Sequence, residues 1–192
     1  YVCLENQNLA PYLLNVLPGD EGYPTTVEVT LPAAMLAIPF GTSEAQVVAE
    51  HGDGTRTWRY THNRPGGILY AGDYVREDME AGGITVEFYY GRKHQAVMEA
   101  AGAADAVKAV VDCCTEHYGF PSAFGTSGTL KLIQSRVAGG GYAGEGASLL
   151  DEADFTAANL RDTSKGAGAG EVMIHELVHQ WWGLGNMFDT PE

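Results

Sequence analysis

The sequence predicts an α+β fold in which a β-rich first part is followed by a sheet with packed helices. Over the first ninety residues, apolar and polar side chains alternate in short segments, which is the period of half-buried β-strands. From Val97 to Tyr118 the apolar positions step by three and four, which is the period of an amphipathic helix. A second stripe of this kind runs from Ile174 to Trp181. The chain of 192 residues, 45% of them hydrophobic, has enough apolar side chains for a sizeable core.

Three strands are predicted in the first part, at 25–31, 45–50 and 55–61. The third alternates so regularly that Trp58 and Tyr60 must lie on one face of the sheet. The strands are short and end at turn-forming residues, as is typical of β domains.

A strong breaker, Asn63-Arg64-Pro65-Gly66-Gly67, separates these strands from the rest of the chain. It predicts a domain boundary, with residues 1–66 as the β-rich tail of an N-terminal domain and residues 67–192 as part of a second domain. The missing initiator Met and the abrupt last residue indicate a piece of a longer protein.

The second domain begins with a predicted strand pair, 68–76 and 84–90, around a Gly-Gly turn. The helix from Val97 to Tyr118 follows, and Gly119 and Pro121 end it. Further strands are predicted at 129–135 and at the short apolar run 147–150. Glycine-rich stretches lie between these elements, but none has the Lys-Ser/Thr sequence of a phosphate-binding loop.

The charge of the chain excludes several kinds of partner. Acidic residues outnumber basic ones by 25 to 11, and the formal net charge is −14. Such a chain repels nucleic-acid phosphates and anionic lipid, so no nucleic-acid partner is expected. No apolar run reaches the roughly 18 to 20 residues that span a bilayer. The three cysteines, at 3, 113 and 114, do not form a disulfide framework.

One short string carries the chemistry, His175-Glu176-Leu177-Val178-His179. Residues four apart on a helix share a face, so the two imidazoles can converge on one Zn²⁺ with bonds of about 2.0 to 2.1 Å. Glu176 is rotated by about 100° from His175, and it can therefore take a proton from water that the metal activates. The spacing predicts His175 and His179 as metal ligands and Glu176 as the catalytic base of amide hydrolysis.

The extended string His-Glu-Leu-Val-His-Gln-Trp-Trp-Gly, at 175–183, resembles the gluzincin helix of the M1 metallopeptidases, the aminopeptidase N and leukotriene A4 hydrolase family. Upstream, 118–121 is similar to the stretch that closes the first helix of that family's catalytic domain. The glycine-rich segment 140–146 lies where the family carries Gly-x-Met-Glu-Asn. The resemblance covers roughly residues 67–192.

This resemblance implies the end of an N-terminal β domain followed by the sheet-plus-helices first half of a thermolysin-like catalytic domain. It also implies Zn²⁺ as the cofactor and a peptide as the substrate, lying along an edge strand near 142–150. The expected substrate-binding residues are Gly140, Gly141, Tyr142 and Ala143.

Two departures from the family pattern affect the expected activity. Ala143 aligns with the glutamate that holds the substrate's free amine in the family, and Glu145 lies two residues further on. The family's third zinc ligand and its transition-state tyrosine would both fall past Glu192. The whole protein is therefore expected to be an M1-like peptidase, whereas these 192 residues have two of three zinc ligands and are expected to be inactive.

Two other functions remain open. One is a non-catalytic peptide-binding domain with a decayed peptidase site, which Ala143 favours. The other is a structural zinc site, which would need four protein ligands. The resemblance also allows a whole protein joined to membrane-spanning segments, with this domain itself soluble. Oligomeric state, compartment and substrate sequence preference are left open.

Overall fold

The computed structural model describes residues 2–4, 25–62, 69–121, 128–136, 140–154, 156–161, 164 and 170–184. The chain divides into two compact units, Tyr1–Tyr74 and Val75–Glu192, each containing β-sheet. Helices occur in the second unit, which confirms the α+β class. The breaker at 63–67 lies outside the described residues, and the predicted division there stays a prediction.

The first unit has two three-stranded antiparallel sheets. One has the order β1-β6-β3 and is formed by β1 (Val2–Leu4), β3 (Leu36–Pro39) and β6 (Leu69–Gly72). The other has the order β2-β5-β4 and is formed by β2 (Thr25–Pro32), β4 (Gln46–Glu50) and β5 (Thr55–His62). The three strands predicted in this part are confirmed as β2, β4 and β5, whereas β1 and β3 were not predicted.

A small apolar cluster forms one part of the core of this unit. Tyr60, 3% exposed, contacts Ala37 and Leu69, and Trp58 packs against the same cluster from the same face of β5. The shared face of Trp58 and Tyr60 that the alternation predicts is therefore present, and it forms part of the β-domain core.

The second unit is built on a five-stranded mixed sheet of order β10-β11-β9-β8-β7. Its strands are β7 (Tyr74–Ala81), β8 (Ile84–Gly91), β9 (Thr129–Ser135), β10 (Gly141–Gly144) and β11 (Ala147–Asp151). β8, β9 and β11 run parallel, whereas β10 is antiparallel to β11 and is an edge strand among the strands described.

The predicted strand at 68–76 is wrong as a single element. The chain bends at Asp73, so that β6 joins a sheet of the first unit and β7 becomes the neighbour of β8. All four residues of β6 are buried. Because such a continuous apolar run lacks the alternation of a half-buried strand, the sequence pattern does not show where β6 ends and β7 begins.

The helices are α1 (Gln95–Ala101), α2 (Ala103–Tyr118), α3 (Ala157–Leu160) and α4 (Glu171–Val178). The single helix predicted from Val97 to Tyr118 is divided at Gly102, whose φ of 62° and ψ of 42° are left-handed. The buried positions are therefore in two registers, and Ala100 and Tyr118, both predicted in the stripe, are exposed. Gly119 ends α2 with a φ of 79°, as predicted.

The core of this unit lies between the sheet and the helices α2 and α4. From the sheet it takes Val86, Phe88, Tyr90, Leu130, Leu132 and Leu150. Val107, Val111, Leu177 and Trp181 are the main helical contributions from the same cluster. Among the helices that the structure describes, none has the length and apolar character needed to cross a membrane.

Candidate metal centre

Helix α4 carries the predicted motif and is fixed at both ends. At its start, the Gly170 amide donates to the Leu160 carbonyl at 3.1 Å. A Cβ on Gly170 would lie 1.5 Å from the Asn159 carbonyl oxygen, so only glycine permits this approach. Past its last turn, Trp181 is buried and its indole N–H donates to the Gly119 carbonyl at 2.8 Å. The helix is therefore held against both α3 and the end of α2.

The two histidines converge. Their Nε2 atoms are 3.1 Å apart, and the ring planes meet at 89° with centroids 4.6 Å apart. The Nδ1 atom of His179 lies 3.0 Å from the Trp182 carbonyl oxygen, which can only accept, so Nδ1 donates. In the neutral ring the Nε2 atom of His179 then carries the lone pair, and it faces His175.

This pair fits a zinc ion. Tetrahedral Zn²⁺ with bonds of about 2.0 to 2.1 Å places two ligand nitrogens about 3.3 to 3.4 Å apart. The observed separation of 3.1 Å is within a few tenths of an ångström of that spacing. The carbonyl on Nδ1 is the kind of partner that orients metal-bound histidines. In the described part of the chain no third His, Cys, Asp or Glu joins the pair, so the candidate ligands there are these two histidines.

Glu176 lies beside the pair and is buried at 6% exposure. Burial raises the pKa of its carboxyl group, while His175 and His179 lower that pKa to a smaller extent. The side chain rests on β10, where a Cβ on Gly141 would lie 2.3 Å from its Cγ and 2.5 Å from its Oε1. The predicted apolar stripe of this helix did not include Glu176, because the strand that covers it is distant in sequence.

The predicted substrate-binding residues lie on β10 or just before it. Gly141 pairs with Leu150 and Ala143 with Ser148, and both pairs lie on the sheet face that α4 covers. Tyr142 belongs to the other face and its side chain is 51% exposed. A Cβ on Gly140 would lie 3.9 Å from Val172 of α4. The structure thus brings Gly140, Gly141 and Ala143 to the helix side and directs the Tyr142 side chain away from it.

Two buried polar residues of this site were missed by the sequence reasoning. Gln180 is 0% exposed and bonds to the backbone of the turn between β10 and β11. Ser148, also 0% exposed, donates through Oγ to the Glu176 carbonyl at 2.7 Å. Two features of the sequence could have indicated these residues: a serine lies inside the apolar run 147–150, and a glutamine directly follows the second histidine.

No protein-family model matches the chain, and no curated protein matches it. A solved structure does, that of a two-domain M1 zinc metallopeptidase variant bound to L-arginine, with a TM-score of 0.52 and 20% identity over 93% of this chain. The chain has the fold of the N-terminal part of that M1 peptidase. It spans 38% of that peptidase's length. An M1 zinc metallopeptidase from Deinococcus radiodurans also matches, with a TM-score of 0.47, 19% identity, and coverage of 86% of this chain and 35% of that one.

Proposed function

We propose that this chain belongs to the catalytic part of a zinc-dependent peptidase that hydrolyses peptide bonds with metal-activated water. The observation that carries the proposal is the convergence of the two Nε2 atoms at 3.1 Å next to a buried glutamate. The fold it shares with part of an M1 peptidase supports the same reaction class. The activity of the whole protein, and its preference for peptides as substrates, are part of this proposal.

In this site His175 and His179 would hold the metal through Nε2, and the Trp182 carbonyl favours the His179 tautomer that this requires. Zn²⁺, when bound, acts as a Lewis acid toward water and the substrate carbonyl. Glu176 accepts the proton of the attacking water, and its raised pKa brings it closer to the pH at which a general base works well.

The substrate is bound along β10. This strand forms hydrogen bonds to β11 and has its other side at the sheet edge, where an extended peptide can add as a further strand. Because Gly141 has no side chain, the peptide backbone and the Glu176 carboxyl group can both approach the strand closely. Ala143, on the same face, offers no charge for a free amine, so cleavage restricted to N-terminal residues is not required by this strand.

The direct test is metal analysis and peptide hydrolysis with the full-length protein that contains these residues. We expect Glu176→Gln to retain zinc and lose hydrolysis, and His179→Ala to lose both. Glu171→Gln, at an exposed position in the first turn of the same helix, is the matched control and should change neither. Hydrolysis that persists in Glu176→Gln, or zinc that persists in His179→Ala at an unchanged affinity, would contradict the proposal.

For these 192 residues alone we expect weak zinc binding and no turnover, because catalytic zinc sites have three protein ligands and the described residues provide two. The second candidate, a peptide-binding domain without catalysis, is favoured by Ala143. It predicts a full-length protein that binds peptides without cleaving them and contains no stoichiometric zinc. Measuring peptide binding alongside hydrolysis therefore separates the two functions.

A further inference from the structure

We propose that Ser148 and Gln180 are positioning residues. They hold the end of α4, which carries His175 and His179, in a fixed position against β10 and β11. They act through the backbone of the helix and of the strand pair, and they need not touch the metal or the substrate. The consequence for metal binding rests on the proposed function, whereas the effect on the helix itself does not. We call the two side chains together the latch.

Gln180 joins the helix end to the turn between β10 and β11. Its Oε1 atom accepts from the Gly146 amide at 3.0 Å, and its Nε2 atom donates to the Gly144 carbonyl at 2.9 Å. The carboxamide thus uses both its donor and its acceptor on backbone groups of one turn, as a buried amide must. Because two atoms of the side chain are held, both the position of Gln180 along the helix axis and its rotation about that axis are fixed.

Ser148 completes the latch at a carbonyl that the helix has released. The Gln180 amide bonds to the Leu177 carbonyl at 3.2 Å, three residues back, whereas regular α-helical pairing would use Glu176. The Glu176 carbonyl instead accepts from the Ser148 hydroxyl at 2.7 Å, and the Gln180 Nε2 atom lies 3.3 Å from the same Oγ. Directly after Glu176, the backbone hydrogen bonds therefore change from four-residue to tighter three-residue spacing, and the Ser148 hydroxyl satisfies the carbonyl that this change leaves free.

This tightening surrounds the second histidine, because the bonds from Gln180 to Leu177 and from Trp181 to Val178 both enclose His179. The His179 amide itself keeps the regular α-helical bond to the His175 carbonyl, at the long distance of 3.3 Å. The position of the His179 ring relative to the His175 ring depends on the backbone geometry of this step. Gly141 of β10 contacts the Glu176 side chain, so the latch and Glu176 are both positioned by the strand pair β10 and β11.

The test uses two latch variants, Ser148→Ala and Gln180→Met, in the 192-residue protein. β9 offers matched controls, Ser135→Ala and Gln134→Met, because both residues are equally well buried in the same unit and neither contacts α4 in the bonds described. Three quantities are measured for each protein: the free energy of unfolding in urea, the exchange rate of the His179 amide, and the dissociation constant for Zn²⁺ by calorimetry.

We expect a lower free energy of unfolding in all four variants. The effects on α4 should distinguish the two latch variants from the two controls. Only the latch variants should exchange the His179 amide faster, and only they should bind Zn²⁺ more weakly, by on the order of 10-fold. Equal losses of zinc affinity in the latch and control variants, or none in either pair, would overturn the proposal, because a merely stabilising role predicts no difference.

If the unmodified 192-residue protein shows no measurable Zn²⁺ binding, the metal site is tested in the full-length protein, and the amide exchange alone tests the latch. Faster exchange at His179 in Ser148→Ala and Gln180→Met, but in neither control, then supports it. Equal protection of this amide in all five proteins excludes it.

Discussion

At the residue scale, Gly141 shows how a missing side chain can be a requirement of the site. Its backbone lies so close to Glu176 that a methyl group would overlap the Cγ, Cδ and Oε1 atoms of that side chain. This contact fixes the position of the carboxyl group and also shields it from water, and Glu176 is 6% exposed. The position of the Glu176 carboxyl group and the direction of its pKa shift therefore have one cause.

We expect Gly141→Ala to lower the free energy of unfolding by about 1 to 3 kcal/mol, because the added methyl forces Glu176 or β10 to move. Gly52→Ala is the control, since a Cβ there would meet nothing within 4 Å. Urea unfolding of both variants measures the difference. Equal stabilities of the two variants would show that Glu176 moves aside without cost.

The neighbouring cysteines of α2 should differ in reactivity. Burial raises the pKa of Cys114 to about 11, and Cys113 contributes in the same direction. The Cys114 thiol therefore stays protonated at pH 8, whereas Cys113 is exposed. We expect iodoacetamide to alkylate Cys113 in the native protein and Cys114 only after unfolding, as peptide mass spectrometry would show. Alkylation of Cys114 at an equal rate would contradict its burial.

At the scale of elements, α4 is held by contacts from both ends rather than by its own length of eight residues. A helix this short has little stability in isolation, so packing must supply it. Trp181 provides the packing at the C-terminal side, where its ring is 3% exposed and its N–H reaches the Gly119 carbonyl that closes α2. The end of one helix thus fixes the end of the other.

We expect Trp181→Phe to destabilise the protein by about 1 to 3 kcal/mol, because it leaves the Gly119 carbonyl without its donor and removes buried ring area. The neighbouring Trp182 is 39% exposed and stacks edge-to-face on Tyr118. Trp182→Phe should stay within about 0.5 kcal/mol of the unmodified protein. Urea unfolding compares the two, and a reversed order would contradict the anchoring role of Trp181.

The break at Gly102 belongs to the same scale. A left-handed residue ends α1, and a Cβ there would lie 2.3 Å from the Arg161 guanidinium. The periodicity from 97 to 118 predicts one helix because a single glycine in a helical pattern is often tolerated. Arg161 donates through Nη1 to the Ala101 carbonyl, sixty residues earlier in the chain, and the pattern does not contain this contact.

At the scale of the whole molecule, the second unit has its own core. Every member of its large apolar cluster lies between Val75 and Trp181. Most of its stabilising burial is therefore internal to residues 75–192, which is the size of a common domain.

We expect a chain of residues 75–192 to fold by itself, with cooperative urea unfolding and a near-ultraviolet circular dichroism signal from its tryptophans. Val107→Ala, in the 0% exposed centre of α2, should lower its unfolding free energy by about 1 to 3 kcal/mol. A gradual transition without a native signal would show that the second unit depends on other parts of the protein.

The sequence alone determined the properties that depend on local spacing. The i, i+4 placement of His175 and His179 follows from helix geometry, and the structure has the two rings converging as that spacing requires. Alternation located β2 and β5, a turn-like sequence marked the end of β4, and a glycine located the end of α2, because each of these signals is local in the sequence.

Only the tertiary structure decided which distant segments meet. β9 and β11 run parallel, so their pairing depends on a crossover and not on a local turn, and it makes β10 the edge strand beside α4. The burial of Glu176, the need for glycine at 141 and the latch of Ser148 and Gln180 all follow from that neighbour. The physical reason is that spacing along a helix fixes what one face carries, whereas packing across the sheet fixes what that face contacts.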